Sequence, residues 1–355
     1  VPATSGPSLA FWSLAFSFRA TSPPDIFDNP MRHYRTILVT GCPRSGTTPV
    51  GANLALAAGA RYLYEPFNPS YGLRAITRYY QLPGADGFSP AELDACVEAI
   101  RTLRLDLRRY AAPHDTGWRR WVKRLVGGRS HLSYWRCRLD WTLDTIIWKD
   151  PIACLSTAAV VDRHGIPVVV TVRPAAAVAA SYKRLQWNPG VASVLDSLAQ
   201  VGVEYPQLRQ RWLDHAREPA VGAALLWTVL YTTLLRWAES RPAIRFLSLQ
   251  ASLDDPVTVY HDLYGWLDLP WSGRVEQALL REAREGRTIP SAHHQPLPVR
   301  AHVGRRRLDE INTYGRRLLT AEEAALIEKM TGDLWGRLQA ACTGPLAGAA
   351  PPAPQ

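Results

Sequence analysis

The sequence predicts an α/β protein, a P-loop-type open parallel β-sheet flanked by helices, with an inserted helical cap between the second and third strands. Three observations predict it. Short apolar, β-branched runs alternate with helical patterns, as crossover connections between parallel strands require. The first run opens directly onto a Gly-rich stretch, "GCPRSGTT" (residues 41–48). Polar residues suited to anions stand just past the ends of several runs, where an open parallel sheet gathers its ligand.

Ahead of the first strand, residues 1–30 are Pro-rich near Met31 and read as a disordered leader or as lying upstream of the native start. The apolar piece "SLAFWSLAFSF" within them is short and has no preceding positive charge, which makes it a poor signal peptide or anchor. Candidate strands follow at 36–40, 61–64, 145–148, 166–172 and 244–249. Between the second and third lies an insertion of about residues 70–143. It contains a helix opening at Ser89, with Pro90 in the first turn and Glu92 closing a capping box. Leu93, Val97, Ile100, Leu103 and Leu107 continue that helix's apolar face at helical spacing. The uncharged run "AVGAALLWTVLYTTLL" (220–235) is below the ~20 residues needed to span a bilayer and reads as a buried core helix. A last helix begins after Thr320, with Glu323 as its capping partner. One domain is expected over 31–342, followed by a disordered tail at 343–355.

The chain has 355 residues, 47% of them apolar, with a formal charge of +10. A sizeable core can be buried, and the charge points to an anionic partner: a phosphorylated small molecule, nucleic acid, a membrane surface or an acidic acceptor. Five cysteines without CxxC spacing argue against a disulfide framework or zinc site, and suit a reducing, cytoplasmic compartment.

A phosphate loop holds an anion because successive backbone N–H groups converge on it at a helix N-terminus. Gly41 and Gly46 keep the four-residue separation of the nucleoside-triphosphate loop, but Thr47 stands where its lysine belongs. Positive charge comes instead from Arg44. That exchange disfavours a P-loop kinase, which remains the enzymatic alternative, and suits a donor with less charge to neutralise. Glu65, Lys149 and Arg173 also follow apolar runs, so their side chains are expected on the same sheet edge as the loop.

"GCPRSGTT" resembles the 5′-phosphosulfate loop of the sulfotransferases that use 3′-phosphoadenosine 5′-phosphosulfate, in the form seen in the tyrosylprotein, carbohydrate and many bacterial branches. "YLYEPFNP" (62–69) is similar to the family's second-strand segment with its acidic residue, and "IIWKDP" (146–151) to its lysine-bearing strand end. In "VVVTVRPAAAVAASYKR" (168–184), Arg173 and Ser181 keep the spacing of the family's 3′-phosphate motif. "SLDDPVTVYHDLYGWLDLPWS" (252–272) resembles its late helix and ending. Two departures stand out: Pro174-Ala175-Ala176 replaces the usual "DPR" after the motif's arginine, and "LQASLDDP" replaces a tyrosine-and-acid pair.

The resemblance implies a sulfotransferase whose donor is 3′-phosphoadenosine 5′-phosphosulfate and whose product is adenosine 3′,5′-bisphosphate, with no metal. It implies that the loop residues Cys42, Pro43, Arg44, Ser45, Gly46, Thr47 and Thr48 hold the 5′-phosphosulfate, and that Arg173 and Ser181 hold the 3′-phosphate. Ser291 and Arg306, beside Arg305 and Arg307, stand roughly where the tyrosylprotein branch closes over the donor. Glu65 becomes the candidate general base, which calls for a carboxyl pKa raised by burial. Arg44 and Lys149 become the cations that neutralise transition-state charge. Without the resemblance, Glu65 reads equally as a solvated loop acid and Lys149 as an ion-pair partner of Asp150.

The segment from Trp118 to Trp141 carries seven Arg or Lys and four Trp, with no acid before Asp140. It could grip an anionic acceptor, offer indole faces to sugar rings, or make peripheral contact with a membrane. A saccharide or glycoconjugate hydroxyl is the expected acceptor, with the tryptophans overhanging the site. A non-catalytic anion- or nucleic-acid-binding protein would leave the strand-end residues unexplained.

Overall fold

Five parallel strands form one sheet in the order β2-β3-β1-β4-β5. The computed structural model describes residues 32–109, 117, 128–215, 218–285 and 317–343. The strands are β1 (Arg35–Thr40), β2 (Ala60–Tyr64), β3 (Thr145–Lys149), β4 (Val168–Val172) and β5 (Ile244–Ser248). The helices introduced here are α1 (Thr47–Leu54), α2 (Pro90–Arg101), α3 (Arg129–Arg138), α4 (Thr157–His164), α5 (Ala175–Leu185), α6 (Val191–Gln200), α7 (Pro206–His215), α8 (Pro219–Ala238), α9 (Pro256–Trp266), α10 (Gly273–Glu285) and α11 (Ala321–Thr343).

The strands alternate their side chains between two apolar layers, as the period of two requires. Leu38, Ile146, Trp148, Val168 and Val170 enter one core with α2, α5, α8 and α11. Ile37, Val39, Ile147, Val169 and Leu247 enter the other with α1 and α9. Both faces are therefore covered, which is the usual condition for a parallel sheet. Helix α8 is long and apolar enough to cross a membrane, but most of it is buried in protein. It packs against α5, α6, α7 and α11, which accounts for its uncharged sequence.

The insertion between β2 and β3 contains helices, and its first is built into the main core. Leu93, Cys96, Val97 and Ile100 of α2 are buried there. The capping box forms as expected: Ser89 Oγ accepts from Glu92 N at 3.1 Å, and Ser89 N donates to Glu92 Oε2 at 2.7 Å. The helix stops at Arg101, however, short of the sequence expectation. Leu103 turns into the left-handed region (φ 52°) and Leu107 pairs with Leu73 in an isolated bridge. Both leucines are still buried, so an apolar period that looked helical is satisfied by a turn and an extended segment.

Helix α3 closes the open edge of β2. Ser133 Oγ accepts from Tyr64 N at 3.0 Å, and Cys137 Sγ lies 3.8 Å from Tyr62 O. Exposed strand edges invite unwanted pairing, and a covering helix removes that hazard. The last helix begins as the sequence suggests, with Glu323 N donating to Thr320 Oγ1 at 3.2 Å.

Candidate active site

The carboxyl ends of β1 to β4 bring Glu65, Lys149, the 41–48 loop and Arg173 to one edge of the sheet. Register fixes this: Lys149 aligns with both Val39 and Tyr64, and Thr40 aligns with Val170. Each strand thus runs out within a residue or two of its neighbours.

The loop is wedged between β4 and β5. A side chain at Gly41 (φ 138°) would meet Thr171 O at 2.5 Å, and one at Gly46 (φ 102°) would meet Leu249 at 2.7 Å. Both positions therefore need glycine for conformation and for space. Beneath the loop, Cys42 N donates to Tyr231 Oη at 3.3 Å, and that hydroxyl donates to Thr171 O. Ser45 N donates to Cys42 O at 3.0 Å, while Ser45 Oγ lies 2.7 Å from Thr171 Oγ1. The sequence expectation places Ser45 and Cys42 among the anion contacts; the structure gives their polar groups these partners within the chain. Their polar groups are engaged on the inner side of the loop and fix its shape. Pro43 has no N–H to offer. At the start of α1, capped by Gly46 without a side-chain hydrogen bond, the first N–H groups lack intrahelical partners, as at any helix N-terminus. Thr47 and Thr48 are its first two residues.

Arg44 (φ 76°) reaches away from this helix end. Its Nε donates to Ser181 Oγ on α5 at 2.8 Å, and Arg173 Nη1 donates to Arg44 O at 3.2 Å. The sequence placed Arg44 beside Lys149; the structure joins it to the Arg173–Ser181 pair. Arg173 is buried, and burial followed by the Arg44 charge lowers its guanidinium to about 10. Trp227 Nε1, from α8, donates to Arg173 O at 2.9 Å and steadies the strand end.

Glu65 and Lys149 lie buried against each other at the β2–β3 side, joined by a short ion-paired hydrogen bond. Lys149 is therefore the partner of Glu65, and not of Asp150. Gly51 makes room for the lysine stem, since a side chain there would fall 3.1 Å from Lys149 Cβ. Asn68 Nδ2 donates to Glu65 Oε2 at 3.0 Å, and Tyr71 Oη donates to the same oxygen. Glu65 itself adopts φ 44°, and its N–H donates to Lys149 O at 2.9 Å. A non-glycine residue in that region is a local strain held by its surroundings. Here Asp150 supplies part of the hold: its Oδ2 accepts from Phe67 N at 2.6 Å, two residues beyond Glu65. Burial, and then the nearby Glu65 charge, push the Asp150 carboxyl up to about 7.

The expected rise in the Glu65 pKa is not what the structure gives. Burial acts to raise it, but the Lys149 charge and the hydrogen bonds from Lys149, Tyr71 and Asn68 prevail and hold it below its ordinary value. Lys149 is correspondingly raised: burial works against its charge, and Glu65, Tyr62 and Tyr64 outweigh it. Tyr64 also places its ring 4.6 Å from Lys149 Nζ and stacks on Tyr71 at 6.0 Å.

Two other expectations stand apart from this site. Trp135 and Trp141 do not overhang it, but line a hollow with Arg61, near the amino end of β2. Trp118, Trp121, Ser291 and Arg306 lie outside the described residues. Sequence reasoning missed Asn68, Tyr71 and Tyr231. The first two follow Glu65 at three and six positions in a turn with no periodic pattern, and Tyr231 is hidden in a run that reads only as core.

No family model matches the chain, and no curated protein does. Solved structures similar to it include three sulfotransferases. The sulfotransferase STF9 from Mycobacterium avium is 16% identical with a TM-score of 0.40, over 88% of this chain and 79% of that one. The sulfotransferase domain from the curacin biosynthetic pathway is 12% identical with a TM-score of 0.42, over 85% of this chain and 99% of that one. The sulfotransferase domain from the Synechococcus PCC 7002 olefin synthase is 15% identical with a TM-score of 0.35, over 74% and 92%.

Proposed function

We propose that the protein is a sulfotransferase that moves a sulfuryl group from 3′-phosphoadenosine 5′-phosphosulfate to an acceptor hydroxyl. The observation that carries the reading is the meeting of Arg44, Ser181 and Arg173 beside, but separate from, the N-terminus of α1. A donor with two separate anionic groups fits such a pair of sites. The helix end takes one through backbone N–H groups, and the arginines take the other through forked, charge-assisted hydrogen bonds. The residues present fit that donor: Arg173 is buried with its charge disfavoured by burial and by Arg44, so a second anion there would relieve it.

The donor supplies an activated sulfuryl group. In the transfer, the sulfur–oxygen bond to the donor's phosphate breaks, a bond to the acceptor oxygen forms, and the acceptor proton passes to Glu65. Lys149 holds Glu65 ionised and oriented before the acceptor arrives. An anion beside Lys149 would share the ammonium's attraction and let the Glu65 carboxylate become the stronger base that proton removal needs. Charge appearing on the leaving phosphate oxygen is met by Lys149 and the α1 N-terminus, a preorganised electrostatic contribution.

The acceptor class to test first is a saccharide hydroxyl. Of the four tryptophans that suggested it, Trp135 and Trp141 lie elsewhere, and the aromatic faces flanking Glu65 are those of Tyr64 and Tyr71. An aromatic ring offers a flat apolar face to a pyranose and, in tyrosine, a hydroxyl to its polar edge.

Calorimetry tests the donor assignment. Adenosine 3′,5′-bisphosphate should bind more tightly than AMP by about 1.5–3 kcal/mol for each charge-assisted contact to the 3′-phosphate. Equal affinities would overturn it. A labelled-donor screen across glycans, phenols and tyrosine peptides then fixes the acceptor.

A further inference from the structure

Helix α3 is amphipathic in the reverse sense from a core helix. Its inward residues are small and polar: Ser130, Ser133 and Cys137 are buried, two of them against the edge of β2. Its outward residues are large and apolar. Leu132, Trp135 and Leu139 are exposed, as is Trp141 in the turn that follows, the last with 87% of its surface open. Burial among the described residues does not explain that stripe. Positions 132, 135, 136 and 139 follow the three-and-four spacing of one helix face, so exposed Arg136 stands among the apolar groups. With Arg61 they line a shallow hollow of about 420 Å³. The acid in its lining, Asp140, is ion-paired to Arg61.

We propose that this face of α3 and the turn after it dock on an anionic lipid bilayer. Leucine and tryptophan beside arginine suit the headgroup layer, where the apolar body enters and the guanidinium or indole N–H stays with the polar groups. Binding of this kind draws on both buried apolar area and attraction to anionic lipid. The charge is complementary, since α3 itself carries Arg129, Arg136 and Arg138 and no acid. An acidic protein partner would satisfy the arginines, but it would not account for four large apolar side chains held outward together. The placement also leaves the crevice accessible. Arg61 is the second residue of β2 and Glu65 lies just past its end, four residues or about 13 Å along the strand.

Sedimentation of the full chain with vesicles tests this. It should pellet with phosphatidylcholine vesicles containing about 30% phosphatidylserine, and much less with phosphatidylcholine alone. The double variant Trp135→Ala/Trp141→Ala should weaken binding by about tenfold or more, and Arg136→Glu should weaken it at low salt. These side chains are exposed, and an unchanged melting temperature with retained bisphosphate affinity would show that the fold is intact. Absence of binding to the anionic vesicles, or binding indifferent to the double variant, would overturn the proposal. So would a dimer in solution that the double variant dissociates, because the face would then be a protein interface. None of these outcomes bears on the donor assignment.

Discussion

At the β2–β3 end of the crevice a carboxylate and an ammonium face each other out of water; at the β1–β4 end one arginine bonds a serine and a second bonds the first one's carbonyl. The first pair is balanced before any ligand arrives. Glu65 and Lys149 each hold the other ionised, and Asn68 and Tyr71 complete the carboxylate's hydrogen bonding. The second group is not self-balancing in the same way, since Arg44 depresses the charge of Arg173. Burying ions is costly unless geometry compensates, so the two ends meet that cost differently. One is compensated by the chain, and the other gains most when an anion binds. Proton handling and donor recognition are thereby separated along one sheet edge.

Breaking the balanced end should have the largest effect. Glu65→Gln should lower turnover by about 10²–10⁴-fold, the range for losing a general base, with bisphosphate affinity nearly unchanged by calorimetry. At the arginine end, Arg173→Met should cost about 10–100-fold in affinity for adenosine 3′,5′-bisphosphate, the equivalent of one charge-assisted contact, while leaving AMP affinity nearly as it was. A variant that weakened both nucleotides equally would erase the distinction between the two ends.

The pH dependence sharpens the comparison. Glu65 must be ionised to accept a proton, and its pKa is held below the ordinary value. The acid limb of kcat/KM should therefore lie below the usual carboxylate value of ~4.3. By the same linkage, the depressed carboxyl contributes stability that is present above that value and is lost as pH falls through the lower folded pKa. Lys149→Met removes the opposing charge and leaves burial, so the limb should move upward by about 1–3 units. The smallest effect is expected under the loop. Ser45→Ala should reduce stability by about 1 kcal/mol and change bisphosphate affinity by less than about twofold, because its hydroxyl bonds Thr171.

The sheet was legible because its determinants are local. Each strand is a short apolar run, and Gly41 and Gly46 mark a turn that has little room for side chains. Strand-end position in the sequence also assigns Glu65, Lys149 and Arg173 to one edge. What could not be read was which of these polar groups touch. Arg44 joins Ser181 across 137 positions, and Lys149 joins Glu65 across 84. No periodicity encodes such contacts. The reversed α3 shows the same limit from another side. Its small residues face inward because the partner is a strand edge with hydrogen bonds to offer, which a pattern of large apolar residues does not reveal.

Tyr231 carries a consequence for motion. Its hydroxyl ties Cys42 of the loop to Thr171 of β4, yet it belongs to α8, a long helix buried over most of its length. To lift the loop's floor, that helix would have to leave the core. The Cys42 amide should thus exchange its hydrogen with solvent only through whole-molecule opening, as slowly as amides in the central strands. Residues 41–45 then belong to the same cooperative unit as the sheet, and ligands meet a rigid cradle instead of one that closes around them.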